Sequence, residues 1–138
     1  MKRKNILMEA TLNKDTVELI NKLRSLVEKK GIVKEDVVKI LMELRPHFIE
    51  QNEPLITRVI RLTAEYIGDR GTFDINLLAE EDEDGNLDEQ IDMDSDDSFN
   101  EVKENFLYLL DLFAHPENQV NKEELQRIKA IYLDRDMF

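Results

Sequence analysis

The sequence predicts a mainly α-helical protein: about five amphipathic helices in one compact bundle, with an acidic β-hairpin or flexible insertion at about 73–95. Three observations support this prediction. Apolar residues recur every three or four positions along most of the chain. The 138 residues are 41% hydrophobic, which suffices for one packed core. The third is a single break in this helical period, at residues 73–97. Residues 1–138 are therefore expected to form one helical domain, with an acidic hairpin or insertion at 73–97.

Three helices are expected in the first half of the chain. The first covers residues 16–30, where apolar residues follow helical spacing. The second covers residues 34–44, and Pro46 is expected to end or kink it, because proline disfavours helical geometry in the residue before it. Arg45 is then the boundary, and residues 47–51 form a short helical turn or a bent continuation. The third covers about residues 53–67, with Pro54 in the first turn, where its missing N–H group is harmless.

Two further helices are expected in the second half. The fourth covers residues 98–114, and Leu107, Tyr108 and Leu112 widen its apolar arc beyond a single stripe. Such an arc predicts either a central helix packed on several sides or an exposed patch that a partner covers. The fifth helix is expected to begin after Asn121, which has the residue type and setting of an N-cap.

Residues 73–79 and 87–93 alternate between apolar and polar side chains, which is typical of half-buried β-strands. A three-residue loop that ends at the glycine between them would pair Leu77 with Ile91 and bring the two apolar faces together. The same composition also permits a disordered acidic spacer, and both interpretations stay open. Alternation at residues 6–12 predicts a further strand that would extend the hairpin.

Negative charge is concentrated in the second half of the chain. Residues 1–70 contain 14 Lys and Arg against 11 Asp and Glu, whereas residues 71–138 contain 5 against 20. Eleven carboxylates fall within residues 80–97, which we call the acidic segment. Like charges that face each other across a hairpin are destabilising. A positive group should therefore lie nearby, supplied by the protein's own first half, a basic partner or a metal.

One arrangement of acidic residues resembles the calcium-binding loop of EF-hand proteins. With Gly85 at the sixth position of that loop, oxygen-bearing side chains fall at alternate positions. The resulting candidate metal ligands are Glu80, Asp82, Asp84, Asn86 and Asp88. At the twelfth position the motif requires a bidentate Glu, and this chain has Ile91. Ca²⁺ is thus an alternative ligand, and no other cofactor is expected.

Several classes of function are disfavoured by composition. The chain has no cysteine, two histidines and three serines without a recognisable catalytic motif, so we expect it not to be an enzyme. The excess of carboxylates would repel phosphate backbones, which disfavours direct nucleic-acid binding. The longest apolar run, FLYLLDLFA, is too short to cross a membrane. We expect a cytoplasmic protein that does not associate with membranes.

The remaining features favour a non-enzymatic protein–protein interaction or regulatory module whose partner has a basic surface. It would act through the acidic surface, the apolar face of the fourth helix, or both. The candidate interaction residues are Glu81, Glu83, Asp92, Asp94, Asp96, Asp97, Leu107, Tyr108 and Leu112. A homodimer through the fourth helix is one version of this hypothesis. An acidic decoy or antitoxin-like inhibitor of a basic protein is another, and a purely solubilising role for the carboxylates stays open.

Overall fold

Residues 12–136, the part of the chain that the computed structural model describes, contain five α-helices. They are α1 (Lys14–Lys30), α2 (Lys34–Glu50), α3 (Pro54–Arg70), α4 (Ser98–Ala114) and α5 (Gln119–Asp136). The predicted helical bundle is confirmed. The strand predicted at residues 6–12 lies outside the described residues, except for Leu12.

The helices form a closed ring in which each packs mainly against two others. Helix α1 packs against α2 and α4, α3 packs against α2 and α5, and α4 also packs against α5. In this ring α5 lies between α3 and α4, although α3 and α4 are consecutive along the chain. The connection between them, residues 71–97, contacts α5 through Arg127 and Arg135. We call these residues the connecting segment.

The core consists of one cluster of buried apolar side chains to which all five helices and the connecting segment contribute. Four phenylalanines in it are fully buried. Phe48 of α2 packs against Phe113 of α4, with ring centroids 6.4 Å apart. Phe73 of the connecting segment meets Phe106 of α4 edge to face at 5.4 Å. Several sides of α4 thus pack against other parts of the core, which explains its wide apolar arc.

Helix α2 continues through Pro46 to Glu50, so the boundary expected at Arg45 is wrong and the alternative of a continued helix is the one found. Proline lacks the N–H group that would bond to the carbonyl four residues earlier, which normally weakens a helix. Here the extra turn buries Phe48 completely. It also places His47, whose Nδ1 lies 2.9 Å from the hydroxyl of the buried Thr16 on α1. Tertiary packing therefore outweighs the local preference of proline.

The connecting segment forms no β-strand, so the predicted β-hairpin is wrong for the described residues. We call the parts of the segment before and after its loop tip the two limbs. They meet in a single antiparallel bridge between Ile75 and Gln90, rather than with Leu77 opposite Ile91. The loop tip does have the expected conformation, because Gly85 has φ 82°. The limbs shift register between the tip and the bridge.

Side chains from the helices explain why pairing stops. The N–H group of Leu78, which a strand would offer to its neighbour, donates to Oδ1 of Asn105 on α4 at 2.9 Å. The carbonyl of Leu77 accepts from Arg127 on α5 at 3.0 Å. A tight turn, with Ala79 N donating to the Asn76 carbonyl, completes the interruption. Buried backbone groups need partners, and here the helices supply them instead of a second strand.

Two glycines provide a matched test of the backbone geometry. Gly31, after α1, has φ 72° and ψ −152°, a region that is essentially limited to glycine, whereas Gly68 lies inside α3. A Cβ atom added at Gly31 would lie 2.6 Å from the ring of Phe99, and one added at Gly68 would meet nothing within 4 Å. We expect Gly31→Ala to destabilise the protein by about 1–3 kcal/mol and Gly68→Ala to stabilise it by about 0.5–1 kcal/mol. Urea unfolding measures both changes, and equal effects of the two substitutions would contradict this assignment.

Candidate functional site

Two arginines on α5 bind the connecting segment to the bundle. Arg127 and Arg135 lie about two helical turns apart and both contact the limbs of the segment. They are two of only five Lys and Arg residues in the second half of the chain. The positive groups that form ion pairs with the connecting segment therefore come from α5, and Arg70 at the end of α3 adds its charge near Asp74.

Arg135 joins three parts of the fold at one point. Its Nη1 donates to the hydroxyl of Tyr66 on α3 at 2.6 Å and lies 3.4 Å from Oδ1 of Asp74. Its Nη2 donates to the carbonyl of Glu89 on the other limb at 2.8 Å. The Tyr66 hydroxyl in turn donates to Asp74 at 2.5 Å, and Gln90 donates to the second oxygen of Asp74 at 2.9 Å. Both limbs are thus tied to α3 and α5 together.

The charge on Asp74 is stabilised by this network. Burial by itself would raise the pKa of Asp74, but hydrogen bonds from Tyr66 and Gln90 and the charges of Arg135 and Arg70 outweigh it and hold the pKa below its usual value. Burial and the hydrogen bond to the Asp74 carboxylate raise the pKa of Tyr66 to about 12. Asp74 is therefore ionised and Tyr66 neutral at physiological pH. The site is an ordered ion pair with a phenol donor.

Arg127 makes the second attachment, and it also contacts both limbs of the segment. It forms ion pairs with Glu89 and with Glu124, the latter at 2.8 Å, and donates to the carbonyl of Leu77. Hydrogen bonds from Arg127 hold the pKa of Glu124 below its usual value. Glu124 also accepts from the hydroxyl of Tyr108 on α4 at 3.1 Å. Each of the two arginine side chains contacts a backbone carbonyl as well as a carboxylate.

Beyond these attachments the acidic segment presents unneutralised charge. Of its eleven carboxylates, only that of Glu89 forms an ion pair with a residue in 12–136. The other ten all belong to exposed residues: Glu80, Glu81, Asp82, Glu83, Asp84, Asp88, Asp92, Asp94, Asp96 and Asp97. The structure thus places six of the predicted interaction residues, Glu81, Glu83, Asp92, Asp94, Asp96 and Asp97, on one solvated segment.

The five predicted metal ligands are exposed, and their carboxylates are not gathered into a cluster. Within the described part of the chain no three His, Cys, Asp or Glu side chains come together as metal ligands would. Asp82 instead accepts hydrogen bonds from the backbone N–H groups of Asp84 and Asn86, at 2.9 and 2.8 Å. These hydrogen bonds lower the pKa of Asp82, and the one from Asn86 has the largest effect. They also occupy the Asp82 oxygen within the turn. The arrangement of Glu80, Asp82, Asp84, Asn86 and Asp88 gives calcium binding no geometric support.

The predicted apolar face of α4 lies largely inside the protein. Leu112 is only 3% exposed, and Leu107 and Tyr108 are half-buried and pack against the core. Of the two explanations for the wide apolar arc, packing of α4 on several sides accounts for these residues. Leu112 therefore offers almost no surface to a partner, and an interaction through Leu107, Tyr108 and Leu112, like a homodimer through them, stays a prediction. Exposed apolar side chains do occur among the acids, at Leu78, Leu87 and Met93.

The residues that organise this site were not among the sequence-based candidates. These residues are Asp74, Tyr66, Arg127 and Arg135. Arg135 lies 61 positions from Asp74 in the sequence, and Arg127 lies 38 positions from Glu89. The sequence carries no signal for this site, because Asp74 stands at a polar position of the alternation between Phe73 and Ile75, where an exposed carboxylate is expected. The structure buries it, and a buried carboxylate needs a partner.

A comparison of this chain with protein-family models, with curated proteins and with solved structures finds no match. The structure supplies one further constraint. None of the five helices in residues 12–136 has the length and apolar character needed to cross a membrane. The predicted cytoplasmic location stays a prediction.

Proposed function

We propose that this protein is a non-enzymatic interaction module that binds a basic protein surface through its acidic segment. The observation that supports the proposal is the contrast between a fixed backbone and unneutralised charge. Arg127 and Arg135 hold the limbs of the segment, while ten carboxylates beyond them have no ion-pair partner in residues 12–136. Such concentrated charge costs folding stability through self-repulsion, and it accelerates association with an oppositely charged surface.

The exposed apolar residues within this surface indicate the chemistry of the partner. Exposed ion pairs contribute little affinity individually, and apolar contacts at the centre of an interface usually provide most of it. Leu78, Leu87 and Met93 are each between 43% and 46% exposed among the acids. We therefore expect a partner that carries basic residues around an apolar patch. A decoy or antitoxin-like inhibitor would be a special case of the same surface.

The test is retention of partners from the native host by two variants with the same net charge. In the first, the segment acids Glu81, Glu83, Asp92, Asp94, Asp96 and Asp97 are changed to the corresponding amides. In the matched control, six exposed glutamates on the helices are changed to glutamine: Glu18, Glu28, Glu43, Glu50, Glu104 and Glu123. We expect the first variant to lose about a hundredfold in affinity for the retained protein, because several charge pairs are removed together, and the control to lose little.

The same partner, once purified, provides the decisive measurement. Its dissociation constant should rise with NaCl concentration for the wild type and only weakly for the first variant, because screening acts on the charges that this variant lacks. Equal affinity of the wild type and the first variant would reject the proposal. So would an equal loss in both variants, because net charge rather than the acidic segment would then explain binding.

A further inference from the structure

The connecting segment experiences two opposing electrostatic forces. The ten unpaired carboxylates repel each other and favour an open segment, since like charges at close spacing are destabilising. Arg127 and Arg135 favour a closed segment that lies on α5. Phe73, Ile75 and Ile91 anchor the limbs in the core, and the position of the exposed residues between them depends on the balance between these forces.

Salt affects the two forces unequally. The repelling carboxylates are on exposed residues, where a rise from about 10 mM to about 150 mM salt shortens the Debye length from about 30 Å to about 8 Å. The arginine contacts are better shielded, because the side chains of Arg135 and Asp74 are only 17% and 12% exposed and those of Arg127 and Glu89 are 30% and 28% exposed. Each arginine also donates to a neutral backbone carbonyl, that of Leu77 or Glu89, which is not an ion pair. Salt should thus weaken the repulsion more than the attachment.

We propose that the connecting segment is an electrostatic strap that α5 holds through Arg127 and Arg135, and that salt or a bound cationic surface closes it more tightly. The direction is opposite to that of an ordinary surface ion pair, which salt loosens. The part of this proposal that concerns a cationic partner rests on the proposed function, whereas the part that concerns salt does not. Arg127 and Arg135 are positioning residues in this scheme, and they do not contact the partner.

The strap can be measured directly in the free protein. The chain contains no cysteine, so Leu87→Cys in the segment and Gln126→Cys on α5 introduce a unique pair of spin labels without changing the net charge. Both positions are exposed. The width of the distance distribution between the labels, from pulsed electron paramagnetic resonance, reports how tightly the segment lies on α5.

We expect the distribution to be narrower at about 150 mM than at about 10 mM NaCl. In a variant with the amide substitutions at Glu81, Glu83, Asp94 and Asp96, it should be narrow at both concentrations. In Arg135→Gln it should be broader than in the wild type at both. A wild-type distribution that broadens or stays unchanged with salt would overturn the strap, as would an undiminished salt response in the amide variant.

An oligolysine peptide, added at about 10 mM NaCl, tests the coupling to a cationic partner. Narrowing of the distribution by the peptide supports the coupling, and broadening or no change rejects it. These outcomes are separate from those of the partner-retention experiment. A protein without a basic partner can still show a salt-tightened strap, and a protein with such a partner can lack one.

Discussion

Phe73→Ala is expected to destabilise the protein by about 3–5 kcal/mol, the cost typical of truncating a fully buried phenylalanine. Phe73 is fully buried, and its ring packs edge to face against Phe106 with centroids 5.4 Å apart. Truncation removes the apolar burial, leaves a cavity beside α4 and loses the aromatic contact. Urea unfolding followed by circular dichroism measures the loss, because the signal reports the helices rather than the irregular segment.

Phe99→Ala is the matched control, because the same side chain is 54% exposed at the start of α4. We expect it to cost less than about 1 kcal/mol, as is usual for a largely exposed residue. The comparison tests whether the connecting segment belongs to the core. A small effect of Phe73→Ala, similar to that of Phe99→Ala, would show that the bundle folds without the segment.

The helices were predictable because a ring of amphipathic helices gives each helix a buried stripe. In α1, α3 and α4 that stripe produces the three-to-four-residue spacing read from the sequence, and Ser98–Ala114 matches the predicted fourth helix. Helix ends were less predictable. Helix α1 is capped by Asn13 and α5 begins at Gln119. Several Asn and Asp residues near each end are chemically able to cap, so the sequence does not distinguish among them.

The connecting segment was not predictable for a different reason. Its alternating apolar residues do enter the core, since Phe73, Ile75 and Ile91 are fully buried. Whether such residues pair as strands depends on what competes for their backbone groups. The competitors are Asn105 and Arg127, which approach from 27 and 50 positions away in the sequence. Local periodicity carries no information about contacts of that range.

The charge layout was predictable, but its compensation was not. The sequence indicates a concentration of carboxylates and the need for a positive group, and among residues 12–136 the connecting segment forms ion pairs through Asp74 and Glu89 only. Both arginines belong to the half of the chain with a large negative balance. A count of charges over half of the chain therefore conceals the pairs that fix the segment. What distinguishes paired from unpaired carboxylates is proximity to α5, which only the fold determines.

Arg135→Ala is expected to cost about 2–3 kcal/mol at neutral pH, although the residue lies near the end of the last helix. Its removal leaves the carboxylate of Asp74, 12% exposed, without its nearest cation. It also removes donors from the Tyr66 hydroxyl and from the carbonyl of Glu89. Leaving buried polar groups unsatisfied costs more than the pair itself contributes when intact. Chemical denaturation at pH 7 measures this cost.

Arg61→Ala is the control, since Arg61 forms an exposed ion pair with Glu65 one turn away on α3. Pairs of this type contribute about 0.3–0.5 kcal/mol. A cost for Arg135→Ala as small as that for Arg61→Ala would mean that the network around Asp74 does not hold the segment.

The pH dependence of the Arg135→Ala cost identifies Asp74 as the partner. The folded-state pKa of Asp74 lies below the unfolded value of about 3.9, so its charge contributes stability above that pH. That contribution is lost as the pH falls through the folded-state pKa.

In Arg135→Ala one of the groups that lower this pKa is absent, so the variant loses less stability on acidification than the wild type does. The difference between the two proteins should thus be constant from about pH 5 to pH 7 and shrink below about pH 3.9. A difference that stays constant through the acid range would assign the effect of Arg135 to its packing and its bond to the Glu89 carbonyl, and not to the charge of Asp74.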